Sequence, residues 1–254
     1  HLGDSLMERQ LDPTASAMLK RELESQGMKF LMEKSTEAIL GKKRVTAVKF
    51  KDGTVASADL VVMAVGIRPN VSLAKESGIE VNRGIVVNDW LETSVDHVYA
   101  VGECAEHNGI AYGLVAPLYE QGGVLAKRLA GVETDGYHGS VVSTKLKVSG
   151  VNVFSAGQFM DECDTRSVRV QDDFDGIYKK IVIKDGKIIG SVLFGDTSES
   201  SRIFSLIRNG EDVTGKEKEI ILGASSGGSF VSDVELVSSM ADDEIICGCN
   251  GVNK

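Results

Sequence analysis

Two places in this chain carry residue types whose spacing can do chemistry. The apolar run Val98-Tyr99-Ala100-Val101 stops at Gly102, and an acid, Glu103, follows directly. A short apolar run of this kind predicts a buried parallel strand. A carboxylate at the carboxyl end of such a strand, beside a residue with no side chain, can meet a ligand's hydroxyl groups at close range. In open α/β sheets that edge is where cofactors bind. Far along the chain, Cys247 and Cys249 stand one glycine apart. One intervening residue rarely permits the dihedral of a disulfide, so thiolates spaced this way suit a metal or cluster. A 2Fe–2S cluster takes four thiolates, which makes the pair half a site. Cys104 and Cys163 have no partner spacing and read as buried or incidental thiols. His97 and His107 bracket the Gly102-Glu103 ending and read as surface residues.

Elements must position these groups. Asp12-Pro13 predicts a helix start, an N-cap acid followed by proline at the first helical position. Met18, Leu19 and Leu23 share one face of that helix, and Gly27 supplies its stop. Residues 28–32 read as a strand, so helix and strand together form half of a βαβ crossover. A hairpin over 44–51 and 53–58 turns at Asp52-Gly53. The run 60–65 is a second buried strand that ends at Gly66 and leads into Ile67-Arg68-Pro69-Asn70. Residues 72–77 predict a short helix, and 85–87 a strand. Pro117 opens a helix carrying Leu118, Leu125 and Leu129 that closes at Gly131. Gly122-Gly123 within it predict the close approach of a neighbour, protein or cofactor. From about residue 139 the texture changes: 143–153, 178–183 and 187–194 read as strands, with Asp185-Gly186 turning the last pair, and 201–208 as a helix. This α+β unit is expected to stand apart from the part before it. Residues 224–229 read as a flexible linker.

At 254 residues, 42% hydrophobic and 26% charged, the chain has the make-up of a globular protein of one large or two ordinary domains. A net charge of −9 without a basic stripe excludes nucleic-acid binding. No apolar run is long enough to span a membrane, and no signal peptide opens the sequence. Four cysteines are too few for a disulfide framework and favour a reducing compartment, the cytoplasm.

Two strands ending in glycine, in this order and with an acid-bearing hairpin before the first, resemble the pyridine-nucleotide flavoprotein reductases. In that family an acid at the position of Glu103 holds the ribityl chain of FAD. Leu6-Met7-Glu8-Arg9-Gln10-Leu11-Asp12, the ending Gly-Glu-Cys-Ala-Glu-His-Asn-Gly at 102–109, the segment 143–153 and the Cys-x-Cys-Asn-Gly-Val tail at 247–252 are similar to its nitrite-reductase branch. Together they cover the whole chain. The resemblance implies an α/β fold: partial Rossmann-like FAD- and NAD(P)-binding domains followed by a small α+β domain. It implies the second half of an NAD(P)H-binding domain at 1–70 and the C-terminal segment of an FAD-binding domain at 71–138. An α+β interface domain at 139–223, a linker at 224–246 and the start of a truncated 2Fe–2S ferredoxin-like domain at 247–254 complete the series.

The resemblance also implies an activity. Hydride passes from NAD(P)H to FAD, and single electrons then move through 2Fe–2S and 4Fe–4S centres to a sirohaem, where nitrite becomes ammonium. Glu103 would bind the ribityl hydroxyls, and Gly102 would let the flavin approach. Leu114, Val115, Ala116, Pro117 and Leu118 would face the isoalloxazine. Val65 and Gly66 would lie where the two nucleotide sites meet, with Arg68 just beyond. Cys247 and Cys249 would be cluster ligands. No G-x-G-x-x-G occurs, so neither pyrophosphate finds its helix N-terminus. The expectation is therefore an internal fragment that alone binds neither dinucleotide tightly and turns over nothing, consistent with a first residue, His1, that is not methionine. Its partners would be a nitrite-reductase small subunit or another redox protein, or a second copy in a homodimer. Two other readings share these residues: an electron-transfer subunit for nitrate reductase or a rubredoxin-type acceptor, and a non-enzymatic assembly or dimerisation fragment.

Overall fold

A computed structural model describes residues 1–223, 238, 245–247 and 252–253. The chain divides into two compact units, His1–Ala64 with Ser143–Gly228, and Val65–Val142 with Ser229–Lys254.

The first unit is built on a five-stranded antiparallel sheet. Its strands are β6 (Ser143–Val148), β7 (Val151–Gly157), β8 (Arg166–Asp172), β9 (Ile177–Lys184) and β10 (Lys187–Phe194), in the order β6-β7-β10-β9-β8. The stretch 143–153 is a hairpin rather than one strand, because Ser149 and Gly150 take φ 46° and 94° and reverse the chain. Asp185-Gly186 turns β9 into β10 as the sequence predicts, with φ 49° and 76°. Side chains alternate across a strand, and here both faces are covered. Phe154, Ile181, Ile183 and Leu193 pack against Ile203 and Ile207 of α4 (Ser200–Asn209) and Ile220 and Ile221 of α5 (Glu217–Leu222). On the opposite face Val153, Tyr178, Val192 and Phe194 meet Leu11, Met18, Leu19 and Leu23 of and beside α1 (Pro13–Ser25). Burial on both faces explains the uninterrupted apolar run Ile181-Val182-Ile183. It also corrects the expectation of a separate α+β unit: the amphipathic face of α1 is the second cover of that sheet. Strand β8 and helix α5 had no clear signal in the sequence, since β8 is largely polar and half-buried.

Asp12 caps α1 as expected, accepting the Ala15 N–H at 3.0 Å. Residues 28–32, however, are coil, and the strand begins later, as β1 (Thr36–Leu40). It pairs antiparallel with β2 (Ala47–Phe50), which pairs with β3 (Val55–Ser57) across the predicted Asp52-Gly53 turn. The apolar run 60–65 is exposed coil, not a buried strand. A buried parallel strand needs a ladder partner and cover on its faces, and no described strand lies beside this run.

The second unit contains α2 (Ser72–Glu76), β4 (Ile85–Val87), β5 (Ala105–His107) and α3 (Val115–Leu129). Strands β4 and β5 are the only parallel pair among the described residues. Residues 98–101 make one isolated bridge, Tyr99 to Glu92, and the ladder strand follows Gly102 instead of preceding it. Helix α3 starts two residues before Pro117, which a first turn tolerates because its N–H groups have no partner within the helix. Leu118 and Leu125 pack on Leu91, Tyr112 and Tyr137, whereas Leu129 is exposed. Apart from the helix's own backbone and the chain neighbours, no described protein atom lies within 4 Å of a Cβ placed on Gly122 or Gly123, so no protein neighbour makes the predicted close approach. Finally, β11 (Ile245–Cys247) pairs antiparallel with β12 (Val252–Asn253), Cys247 opposite Val252. Cys249 and the linker 224–229 lie outside the described residues.

Candidate flavin-facing site

The turn at 102–105 is the centre of the site. Gly102 adopts φ 95°, a region that disfavours side chains, and open space surrounds the position a Cβ would take. Its carbonyl accepts the Ala105 N–H at 3.0 Å, and its own N–H donates to Gln121 Oε1 at 2.9 Å. Glu103 therefore projects from a pinned turn. It is exposed and has neither an ion pair nor a hydrogen bond among the described residues. A free carboxylate on a fixed backbone is an acceptor for a polyol.

Gln121 connects that turn to α3. Leu114 precedes the helix in an extended conformation, φ −122°, ψ 148°, and its side chain makes no capping hydrogen bond. Val115 and Ala116 are exposed, Pro117 is buried and Leu118 half-buried. The uncapped first turn leaves N–H groups and the positive end of the helix dipole available to an anion. Ile67 approaches the same end, with its Cδ1 2.7 Å from where a Gly113 Cβ would stand, so a side chain there would have to displace the tip of Ile67.

Val65 and Gly66 are exposed coil, Gly66 at φ 87°. Arg68 lines a cavity of about 500 Å³ with Ile67, Pro69, Val71 and Arg83. Two guanidinium groups on one cavity favour an anionic guest. Among the described residues, no group of three or more His, Cys, Asp or Glu is placed to hold a metal, and no helix is long and apolar enough to cross a membrane.

Three site-supporting residues escaped the sequence reading. Glu106 is buried, accepting from the Gly84 N–H at 2.6 Å and Asn82 Nδ2 at 2.8 Å. Burial opposes its ionisation, but these hydrogen bonds and Arg83 prevail and hold its carboxyl below the usual range. His107, expected at the surface, is buried, with Nε2 2.7 Å from Asp89 Oδ1 and its ring edge-on to Tyr137. A polar triplet after a turn reads as loop, which hid both. Gln121 had a usable signal, since it stands four residues after Pro117 and so shares its helix face. Cys163 is exposed and Cys104 partly buried, its Sγ 3.6 Å from the Val101 carbonyl.

An antiparallel C-terminal sheet unit and a turn-plus-helix site of this kind define a class. Residues 1–122 match the pyridine nucleotide-disulphide oxidoreductase family, and residues 143–211 match the rubredoxin NAD+ reductase C-terminal domain. The chain has the pyridine nucleotide-disulphide oxidoreductase fold with a C-terminal domain. Among its relatives, the NAD(P)H nitrite reductase of Bacillus subtilis (strain 168) is 59% identical over all 254 residues, which span 31% of that protein. The assimilatory nitrate reductase electron transfer subunit of the same organism is 45% identical over 254 residues, 100% of this chain and 32% of that protein. The chain thus spans about a third of the length of these two relatives. In three dimensions it is similar to the NADH:rubredoxin oxidoreductase of Clostridium acetobutylicum, with TM-score 0.63 and 26% identity, over 87% of this chain and 55% of that one.

The residues present fit part of an FAD. A partnerless carboxylate beside a positive-φ glycine suits polyol hydroxyls, and an uncapped helix start suits an electron-rich ring edge. The pyrophosphate-binding glycine loop is not in the sequence.

Proposed function

We propose that this chain is the flavin-to-cluster segment of an NAD(P)H-dependent nitrite reductase, which carries electrons from NAD(P)H through FAD and iron–sulfur centres to reduce nitrite to ammonium. The observation that carries the reading is the free Glu103 carboxylate on a turn tied through Gln121 to the open start of α3. Identity of 59% along the entire chain to a nitrite reductase supports it.

When bound, FAD supplies the conversion of two-electron hydride chemistry into one-electron transfer. Glu103 accepts hydrogen bonds from the ribityl hydroxyls, and Gly102 leaves room for their approach. Leu114, Val115, Ala116, Pro117 and Leu118 present the first turn of α3 to the ring system, where its N–H groups favour negative charge. Val65 and Gly66 would lie where the two nucleotide sites meet, with Arg68 and Arg83 favouring an anionic group in the cavity beside them. Cys247 and Cys249 supply two thiolates of a 2Fe–2S cluster. The 4Fe–4S centre and sirohaem belong to other segments of such an enzyme, which works in the cytoplasm with a small subunit or a second copy of itself.

The test is anaerobic incubation of the full-length polypeptide with NADH and nitrite, following both. Coupled loss of the two with ammonium formed supports the proposal. NADH oxidation with artificial acceptors and none with nitrite favours the second reading, a reductase subunit serving nitrate reductase. The 45% identity to such a subunit supports that alternative.

A further inference from the structure

Gln121 has no exposed surface, and its amide is used on one side only. Oε1 accepts the Gly102 N–H at 2.9 Å, while Nε2 has no hydrogen-bond partner, alone in this among the buried side-chain nitrogens and oxygens of the described residues. A buried amide nitrogen without an acceptor costs about 1–3 kcal/mol. An apolar side chain of the same length, such as methionine, would fill the space without that cost. What methionine cannot do is accept the Gly102 N–H. The bond to the turn is thus the one hydrogen bond that its amide makes among the described residues.

The turn needs the bond. Gly102 has the widest conformational freedom of any residue type, and it immediately precedes Glu103. Its carbonyl is held by Ala105, and its N–H by Gln121 alone. Beside it in α3, Glu120 accepts from the Ser140 hydroxyl, which exchanges a hydrogen bond with the Tyr137 hydroxyl at 2.7 Å.

We infer that Gln121 is a positioning residue for the flavin site: through the Gly102 N–H it fixes where the Glu103 carboxylate stands. Being sealed from solvent, it acts through Glu103 and does not touch the cofactor. This inference rests on the reading of Glu103 as a ribityl ligand.

The experiment is FAD titration of the full-length apoprotein by flavin fluorescence, with Gln121→Met, Gln121→Glu, Glu103→Ala and the Glu103→Ala/Gln121→Met pair. A glutamate in so buried a place is held neutral and retains both an acceptor and a donor. Gln121→Met is expected to raise the FAD Kd about tenfold while leaving the melting temperature unchanged or higher. Gln121→Glu is expected to restore binding to within about threefold of the parent, and Gln121→Met to add less than about twofold once Glu103 is alanine. Equal losses from Gln121→Met in both backgrounds, or a Gln121→Glu protein as weak as Gln121→Met, would overturn the positioning role alone. A Glu103→Ala protein that binds FAD as tightly as the parent would overturn the reading of Glu103 and this role with it.

Discussion

Lys180 Nζ lies 3.3 Å from Asp12 Oδ2, with both side chains almost sealed from water and 168 positions apart in sequence. The same carboxylate accepts the Tyr178 hydroxyl at 2.7 Å through Oδ2 and caps α1 through Oδ1. Lys180 has a second carboxylate, Asp161, at 3.1 Å. One acid thus starts the helix and fastens it to β9, which is why α1 covers this face of the sheet. A buried charge is tolerated only while its partners are in place.

Lys180→Met is therefore expected to destabilise the first unit by about 3–5 kcal/mol, because it strands the Asp12 carboxylate. Adding Asp12→Asn should recover part of that loss, since asparagine removes the stranded charge, keeps the cap with its one oxygen and turns its amide N–H towards the Tyr178 hydroxyl oxygen. Urea denaturation followed by circular dichroism measures both. A double variant no more stable than Lys180→Met would show that the network is not the cause.

The acid limit of stability should respond to Asp196. Burial opposes its ionisation, but Lys179 and Ser198 outweigh it and lower its pKa to about 2, against roughly 3.9 in the unfolded chain. The unfolded state then binds more protons between these values, so stability falls as pH drops. The contribution is complete above about pH 4 and is lost as pH falls towards 2. Asp196→Asn should flatten this part of the stability profile while leaving the slope above pH 5 unchanged. An unaltered slope below pH 4 would argue against it.

Gly84 is fixed by space. A Cβ there would stand 2.9 Å from the Cys104 carbonyl oxygen and 2.9 Å from Glu106 Cβ. Gly84→Ala should cost about 1–3 kcal/mol through overpacking. Glu106→Gln should cost about 1–3 kcal/mol, since it sets a donor among the two donors of Gly84 and Asn82. Thermal melts of the two variants check this, and a neutral Gly84→Ala would mean that the β4–β5 pair yields easily.

Cys247 closes strand β11 opposite Val252. Under the cluster reading, Cys247→Ser in the full-length polypeptide should abolish the 2Fe–2S electron paramagnetic resonance signal while FAD content stays at the parent level. A retained signal would remove Cys247 from the ligand set.

The sequence showed the fold where the signal is local. Asp12-Pro13 started α1 because a cap and a fixed φ act over three residues. Asp52-Gly53 and Asp185-Gly186 turned hairpins because glycine at positive φ acts over two. Residues 28–32, 60–65 and 98–101 misled for the opposite reason. An apolar run announces only that it can be buried, and a strand also needs a neighbour to hold its ladder. The Gly102-Glu103 pair stood out as a candidate from its own chemistry. The network behind it was not: Gln121 is 19 positions from Gly102, and Glu106 is 22 from Gly84.

The sequence by itself determined the turns, the helix starts and the fold family that its motifs resemble. Tertiary structure alone decided that α1 covers the C-terminal sheet, that His107 and Glu106 lie inside, and that a helix amide holds the glycine before Glu103. Capping and turn preferences are set within a few residues of chain. Burial and pairing are set by whichever distant segment arrives to exclude water.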